Sequence, residues 1–186
     1  MSGESVLLNA DAKMRKAVDV LKHELSTVRT GRAHPGLVEH IMVDYHGTPV
    51  PLNQIAGISV PEARLLVIQP WDKSVLANVE KAILKSDLGL NPHNDGNIIR
   101  LAIPQLTEER RTQLVKMVRK KVEDGKVAVR NVRRDALEGL RKLKDDKEMT
   151  EDEQKRALGK LQQLTDKFIE EIDRIAKAKE SELMEF

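Results

Sequence analysis

Cysteine is absent from all 186 residues, which excludes a disulfide framework, a thiolate nucleophile and any thiolate-ligated zinc or iron–sulfur centre. Only four side chains are aromatic: Tyr45, Trp71, Phe168 and Phe186. So few rings argue against modules that stack bases on aromatic platforms. No apolar run exceeds four residues, as in Leu65-Leu66-Val67-Ile68, whereas a membrane-spanning helix needs about 20. The first eight residues carry neither a basic stretch nor an apolar core, so nothing marks secretion and a soluble, cytoplasmic protein is expected. Net charge is small too: 32 Lys and Arg offset 30 Asp and Glu to leave +2.

Catalytic and metal-binding patterns are also missing. The five histidines (23, 34, 40, 46 and 93) show no H-x-x-x-H spacing. The serines sit in no nucleophile elbow, and no glycine-rich phosphate loop ends in Lys-Ser or Lys-Thr. Carboxylate pairs such as Asp145-Asp146 and Glu170-Glu171 fall in charged helix or loop sequence, where solvation explains them. Neither an enzymatic activity nor a cofactor is expected.

What is present is sharply segregated. All seven prolines lie between residues 35 and 104. Residues 31–104 hold 13 charged groups in 74 positions, while 105–186 hold 40 in 82. Proline breaks helices and marks turns, whereas proline-free sequence rich in Ala, Leu, Glu and Lys suits long helices. The expected fold is therefore α+β. A discontinuous three-helix bundle from 1–30 and 105–186 would be interrupted by a small β/α/β sandwich at 31–104.

The first flank alternates Leu7, Ala10, Met14, Val18, Leu21, Leu25 and Val28 in threes and fours, one apolar stripe of a helix. After Pro104, Thr107 can cap a second helix bearing Leu114, Val118, Val122, Val129, Val132, Ala136, Leu140 and Leu143. Gly125 falls on that stripe and suggests either a close helix approach or a tolerated weak spot. Thr150 and Glu153 form a capping box for a third helix, whose stripe is Ala157, Leu161, Leu164, Phe168, Ile172 and Ile175. The stripes keep no sustained heptad, which favours an intramolecular bundle, and a monomer, over a self-associating coiled coil. Within the insert, 41–45, 58–60, 65–69 and 98–103 read as strands and 72–86 as a helix capped by Asp72.

The one chemical feature that stands out is positive charge. Between Arg110 and Arg134 ten Lys or Arg face only Glu123 and Asp124, a local net charge of +8 in 25 residues. At about 100° per residue, Arg119, Lys126, Arg130 and Arg133 stack on one flank of the apolar seam, with Lys116, Arg134 and Arg141 beside them. Arg133 adjoins the seam without occupying it. A merely solvated face would carry acids at i+4 spacing, and here most are missing. Arginine's planar donor fork suits phosphate oxygens, so backbone and shape recognition of structured RNA is the better expectation. The alternative is a coiled-coil-like adaptor whose basic face meets an acidic protein.

Four segments carry a resemblance: Arg29-Thr30-Gly31-Arg32-Ala33; 85–92, Lys-Ser-Asp-Leu-Gly-Leu-Asn-Pro; 104–111, Pro-Gln-Leu-Thr-Glu-Glu-Arg-Arg; and 127–136, Val-Ala-Val-Arg-Asn-Val-Arg-Arg-Asp-Ala. Together, along essentially the whole chain and including the Glu182-Leu183-Met184-Glu185-Phe186 ending, they resemble the bacterial ribosome recycling factor family. The resemblance implies an L-shaped, hinged protein of tRNA-like outline. It would bind large-subunit rRNA on the post-termination ribosome and, with elongation factor G and GTP, split it into subunits, freeing mRNA and tRNA. By the same resemblance Arg29, Arg32, Arg130, Arg133 and Arg134 match rRNA-contacting arginines, and Gly31, Arg32, Pro104, Gln105 and Leu106 match the hinge. Lys126 stands where relatives often carry Arg, and His46 where they often carry an aromatic residue.

Overall fold

The computed structural model describes residues 2–185; Met1 and Phe186, the outer ends of the expected bundle, lie outside the described residues. Contacts divide the chain into two compact units. One takes the chain up to Arg29 and resumes from Glu108 to Glu185; the other runs Thr30–Thr107.

The first unit is three helices. Helix α1 (Gly3–Ser26) opens on a reciprocal cap, in which Ser2 Oγ accepts from Ser5 N at 3.1 Å and Ser5 Oγ accepts from Ser2 N at 3.0 Å. Its buried stripe is Val6, Ala10, Met14, Val18, Leu21 and Leu25. The stripe begins at Val6, one turn before Ala10; Leu7 is only half-buried. Helix α3 (Glu108–Asp145) has 38 residues and helix α4 (Glu151–Glu185) has 35. At 1.5 Å per residue α3 is about 57 Å long.

Between them the chain turns at Lys147, with φ of 59°. Glu148 N donates to Leu143 O at 2.9 Å and Lys147 N to Lys144 O at 3.0 Å, which satisfies carbonyls the helix end would otherwise leave open. The expected Thr150–Glu153 capping box is present: Glu153 N donates to Thr150 Oγ1 at 3.1 Å and Thr150 N to Glu153 Oε2 at 3.2 Å.

In α3 and α4 the seams depart from the stripes at three positions. Val132, Leu164 and Ile175 are half-buried, and Thr165 is buried instead. Thr165 satisfies its hydroxyl on its own helix, donating to Leu161 O at 2.8 Å, so burial leaves no open polar group. Gly125 is a close approach: a Cβ there would lie 3.0 Å from Leu21 Cδ2 of α1. Val6 lies similarly against Gly139, so α1 and α3 run antiparallel.

The second unit contains β1 (Met42–Tyr45), β2 (Thr48–Pro51), β3 (Ala56–Glu62), β4 (Leu65–Pro70), α2 (Leu76–Lys85), β5 (Pro92–Asn94) and β6 (Ile99–Ala102). Strands β1 and β2 form a two-stranded sheet and the others a four-stranded sheet in the order β3-β4-β6-β5, all pairs antiparallel. Val43, Leu52, Leu66, Ile68, Val79, Ile83, Ile99 and Leu101 bring both sheets and α2 onto one core.

Strands β2 and β5 escape the sequence pattern because they contain Pro49, Pro51 and Pro92, which cannot donate to a ladder. Both lie at sheet edges, where a missing N–H is tolerated. Between β1 and β2 only His46 (φ 51°) and Gly47 (φ 90°) are left over, both left-handed as a two-residue hairpin loop requires. The helix expected at 72–86 is split. Asp72 Oδ1 accepts from Ser74 N at 2.9 Å and caps a single 3-10 turn, Lys73–Val75, ahead of α2.

Candidate nucleic-acid interface

Helix α3 carries the basic row because its apolar seam takes one face and leaves the adjoining flank free for long cations. Lys126 and Arg133 are half-buried beside the seam, and Arg119, Arg130 and Arg134 are exposed. The carboxylates missing at i+4 on this helix are supplied mainly by its neighbour. Arg119 Nε lies 2.9 Å from Glu180 Oε1 and Lys126 Nζ lies 2.6 Å from Asp173 Oδ1, both acids on α4. Arg130 Nη1 meets Glu123 Oε1 of its own helix at 3.1 Å. Arg133 Nη1 donates to Gln162 Oε1 at 3.2 Å, and Gln162 Nε2 in turn donates to Asp166 Oδ1 at 2.8 Å.

The row is thus less bare than its own helix suggests. The signal for this lies in the sequence: Arg119, Lys126 and Arg133 recur every seven residues, as do Asp166, Asp173 and Glu180. Such pairs are half-exposed and contribute about 0–1 kcal/mol each, so they do not forbid phosphate contact. The side chain of Arg134 has no ion pair or hydrogen bond among the described residues, nor has that of Arg29 at the end of the first unit. Arg133 also departs from the expectation of a residue merely beside the seam. Its Nε is buried without a hydrogen-bond partner, so the stem of the side chain packs inward.

The two connecting segments are held by one hairpin turn of the second unit. Ala33 N donates to Ala63 O at 2.7 Å, and Ile103 N donates to Arg64 O at 2.8 Å. Gly31 is buried with φ of +80°, and a Cβ on it would sit 3.1 Å from Leu106 Cγ. Glycine is required there twice over, by conformation and by space. Arg32, Pro104 and Gln105 are exposed and Leu106 is half-buried. All five residues assigned to a hinge fall within the second unit, next to its two boundaries.

Elsewhere in the bundle Glu171 accepts from Arg15 Nη1 at 2.8 Å and lies 3.2 Å from Lys22 Nζ. The bond from Arg15 holds the Glu171 carboxyl below the usual carboxylate value, burial opposing. In the second unit Asp72 is likewise lowered, first by its bonds from Ser74 and then by His46 at 3.4 Å.

A three-helix bundle with a cationic flank, interrupted between its first and second helices by a small unit of antiparallel sheets and one helix, defines a distinct class of two-unit protein. The family model described as ribosome recycling factor matches residues 21–184. The ribosome-recycling factor of Natranaerobius thermophilus is 57% identical over 183 residues, covering 98% of this chain and 100% of its own. That of Pelotomaculum thermopropionicum is 55% identical over 185 residues and covers 100% of both. A solution structure of the ribosome recycling factor superposes with a TM-score of 0.76 at 46% identity, covering 100% of this chain and 99% of that one. A second structure has a TM-score of 0.64 at 48% identity, covering 98% and 99%. It is described as models for the Thermus thermophilus ribosome recycling factor and the Escherichia coli elongation factor G bound to the post-termination complex. The chain belongs to the ribosome recycling factor family.

Proposed function

We propose that the chain binds the post-termination ribosome through large-subunit rRNA and, with elongation factor G and GTP, separates the ribosome into subunits. The observation that carries this reading is the match along the whole chain to recycling factors, one of whose structures is described together with elongation factor G on the post-termination complex. The geometry supports it: Arg29, Arg119, Lys126, Arg130, Arg133 and Arg134 belong to one helical unit, and Arg32 lies in the first connecting segment. Arg29 and Arg134 offer unpaired guanidinium forks to phosphate. Arg130, Arg119, Lys126 and Arg133 each keep donors beyond the one engaged by a neighbour.

Gly31, Arg32, Pro104, Gln105 and Leu106 act as the hinge, since the chain crosses between units as two short segments with no helix running through. A bundle anchored on rRNA would convert a push on the inserted unit into strain on the subunit interface. GTP hydrolysis belongs to the partner, the chain itself catalyses nothing, and it acts in the cytoplasm.

Cosedimentation with purified large subunits at varied salt tests the binding step. Four or five phosphate contacts predict a log–log slope of roughly −3 to −4. Affinity that does not change with salt would overturn the RNA reading. Subunit splitting that needs both this chain and elongation factor G with GTP tests the second step.

A further inference from the structure

The acids that face the basic row form a regular ladder. Each step of seven residues toward the C-terminus of α3, from Arg119 to Lys126 to Arg133, is answered by a step of seven toward the N-terminus of α4, from Glu180 to Asp173 to Asp166. One antiparallel register satisfies every rung. The first two are direct, at 2.9 and 2.6 Å. The third passes through Gln162, which accepts from Arg133 at 3.2 Å and donates to Asp166 at 2.8 Å. Each rung occupies one donor of its cation. Glu180 takes Nε of Arg119 and leaves both terminal nitrogens of the fork, and Asp173 takes one of the three Lys126 protons.

We propose that Asp166, Asp173 and Glu180 are specificity-determining residues for RNA binding: they cancel the row's long-range attraction for polyanions in general while holding its donors in place for a fixed array of phosphates. This rests on the RNA-binding reading above and deepens it. Indiscriminate binding to nucleic acid is driven by net charge and counterion release. A cation beside a carboxylate presents almost no net charge at the ~8–10 Å over which salt screens charges, so a flexible strand gains little from it. At contact distance the remaining donors still reach phosphate oxygen. Because their side chains are already ordered by the ladder, a rigid partner of matching shape pays less of the ordering entropy. The ladder thus lowers affinity for wrong nucleic acid more than for the right one.

The test compares the Asp173→Asn, Glu180→Gln double variant with the parent protein. A Glu170→Gln variant is the control, since Glu170 is exposed, on the same helix, and without a partner among the described residues. Binding to poly(U), an unstructured probe, and to purified large subunits is measured across a salt series, with melting temperature followed in parallel. The double variant should bind poly(U) about three- to tenfold tighter at low salt with a slope steeper by about 1, while large-subunit affinity rises less, so discrimination falls. The control should leave the ratio of the two affinities within about twofold of the parent's. Unchanged poly(U) binding, or equal gains on both targets, overturns the proposal. If the double variant melts below the assay temperature, Glu180→Gln alone is read by the same criteria. Loss of salt-dependent binding to large subunits by the parent would overturn the RNA-binding reading instead, and the poly(U) comparison would still report on the ladder.

Discussion

Arg134 projects into solvent, whereas its neighbour Arg133 is half-buried, bonded through Nη1 to Gln162 and left with an unpartnered buried Nε. Arg134→Ala should therefore leave stability within about ±0.5 kcal/mol. It should nevertheless weaken large-subunit binding by roughly 1.5–3 kcal/mol, ten- to a hundredfold, with Lys restoring only part. Arg133→Ala should lower both, since stem packing and a hydrogen bond are lost; about 0.5–1.5 kcal/mol of stability should go. Thermal melts beside cosedimentation separate the two, and an Arg134→Ala variant that melts early but binds normally would remove it from the interface. At Glu171 the expectation concerns pH. Its carboxyl is lowered in the fold by Arg15, so its stabilisation is complete above the ordinary unfolded carboxylate value and is lost as pH falls through the lower folded one. Glu171→Gln should reduce the melting temperature at neutral pH and converge with the parent in acid. Melting curves that stay parallel down to the acid end would contradict the linkage.

Between elements, the sign of a change is set by what the neighbouring helix leaves open. Gly125 and Gly159 are both interior helical glycines, and Ala would improve the propensity at each by about 1 kcal/mol. At Gly159 nothing lies within 4 Å of an added Cβ, so Gly159→Ala should stabilise by about 0.5–1 kcal/mol. At Gly125 the methyl would meet Leu21 Cδ2 at 3.0 Å, and Leu21 is itself only 2% exposed, so it must shift within the bundle core. Overpacking costs about 1–3 kcal/mol, so Gly125→Ala should destabilise on balance. Chemical denaturation of the two variants checks the opposite signs. The same dependence on neighbours explains which elements were readable. The long helices followed from spacing and caps, whereas β2 and β5 exist only because a partner strand accepts a proline-bearing edge.

At the scale of the molecule, each unit closes its own core: three stripes in the bundle, and two sheets with α2 in the insert. Replacing residues 30–107 by a short Gly/Ser linker should therefore leave a folded, helical bundle that still cosediments with large subunits. Under the proposed lever the inserted unit takes the push of elongation factor G, so subunit splitting should be lost. Splitting by the shortened protein would refute the lever.

Stripes, the Thr150–Glu153 cap and the confinement of proline to one stretch are properties of single segments, so they stood in the sequence, as did the motifs of the family. Which cations of α3 are free and which are answered is decided between segments. Glu180 neutralises Arg119 only because α3 and α4 align antiparallel in one register, and a single segment, even one with acids spaced by seven, does not contain that alignment. The burial of Thr165 in place of Leu164 and the inward stem of Arg133 have the same origin, because a helix face is core or surface only once its neighbour has been placed.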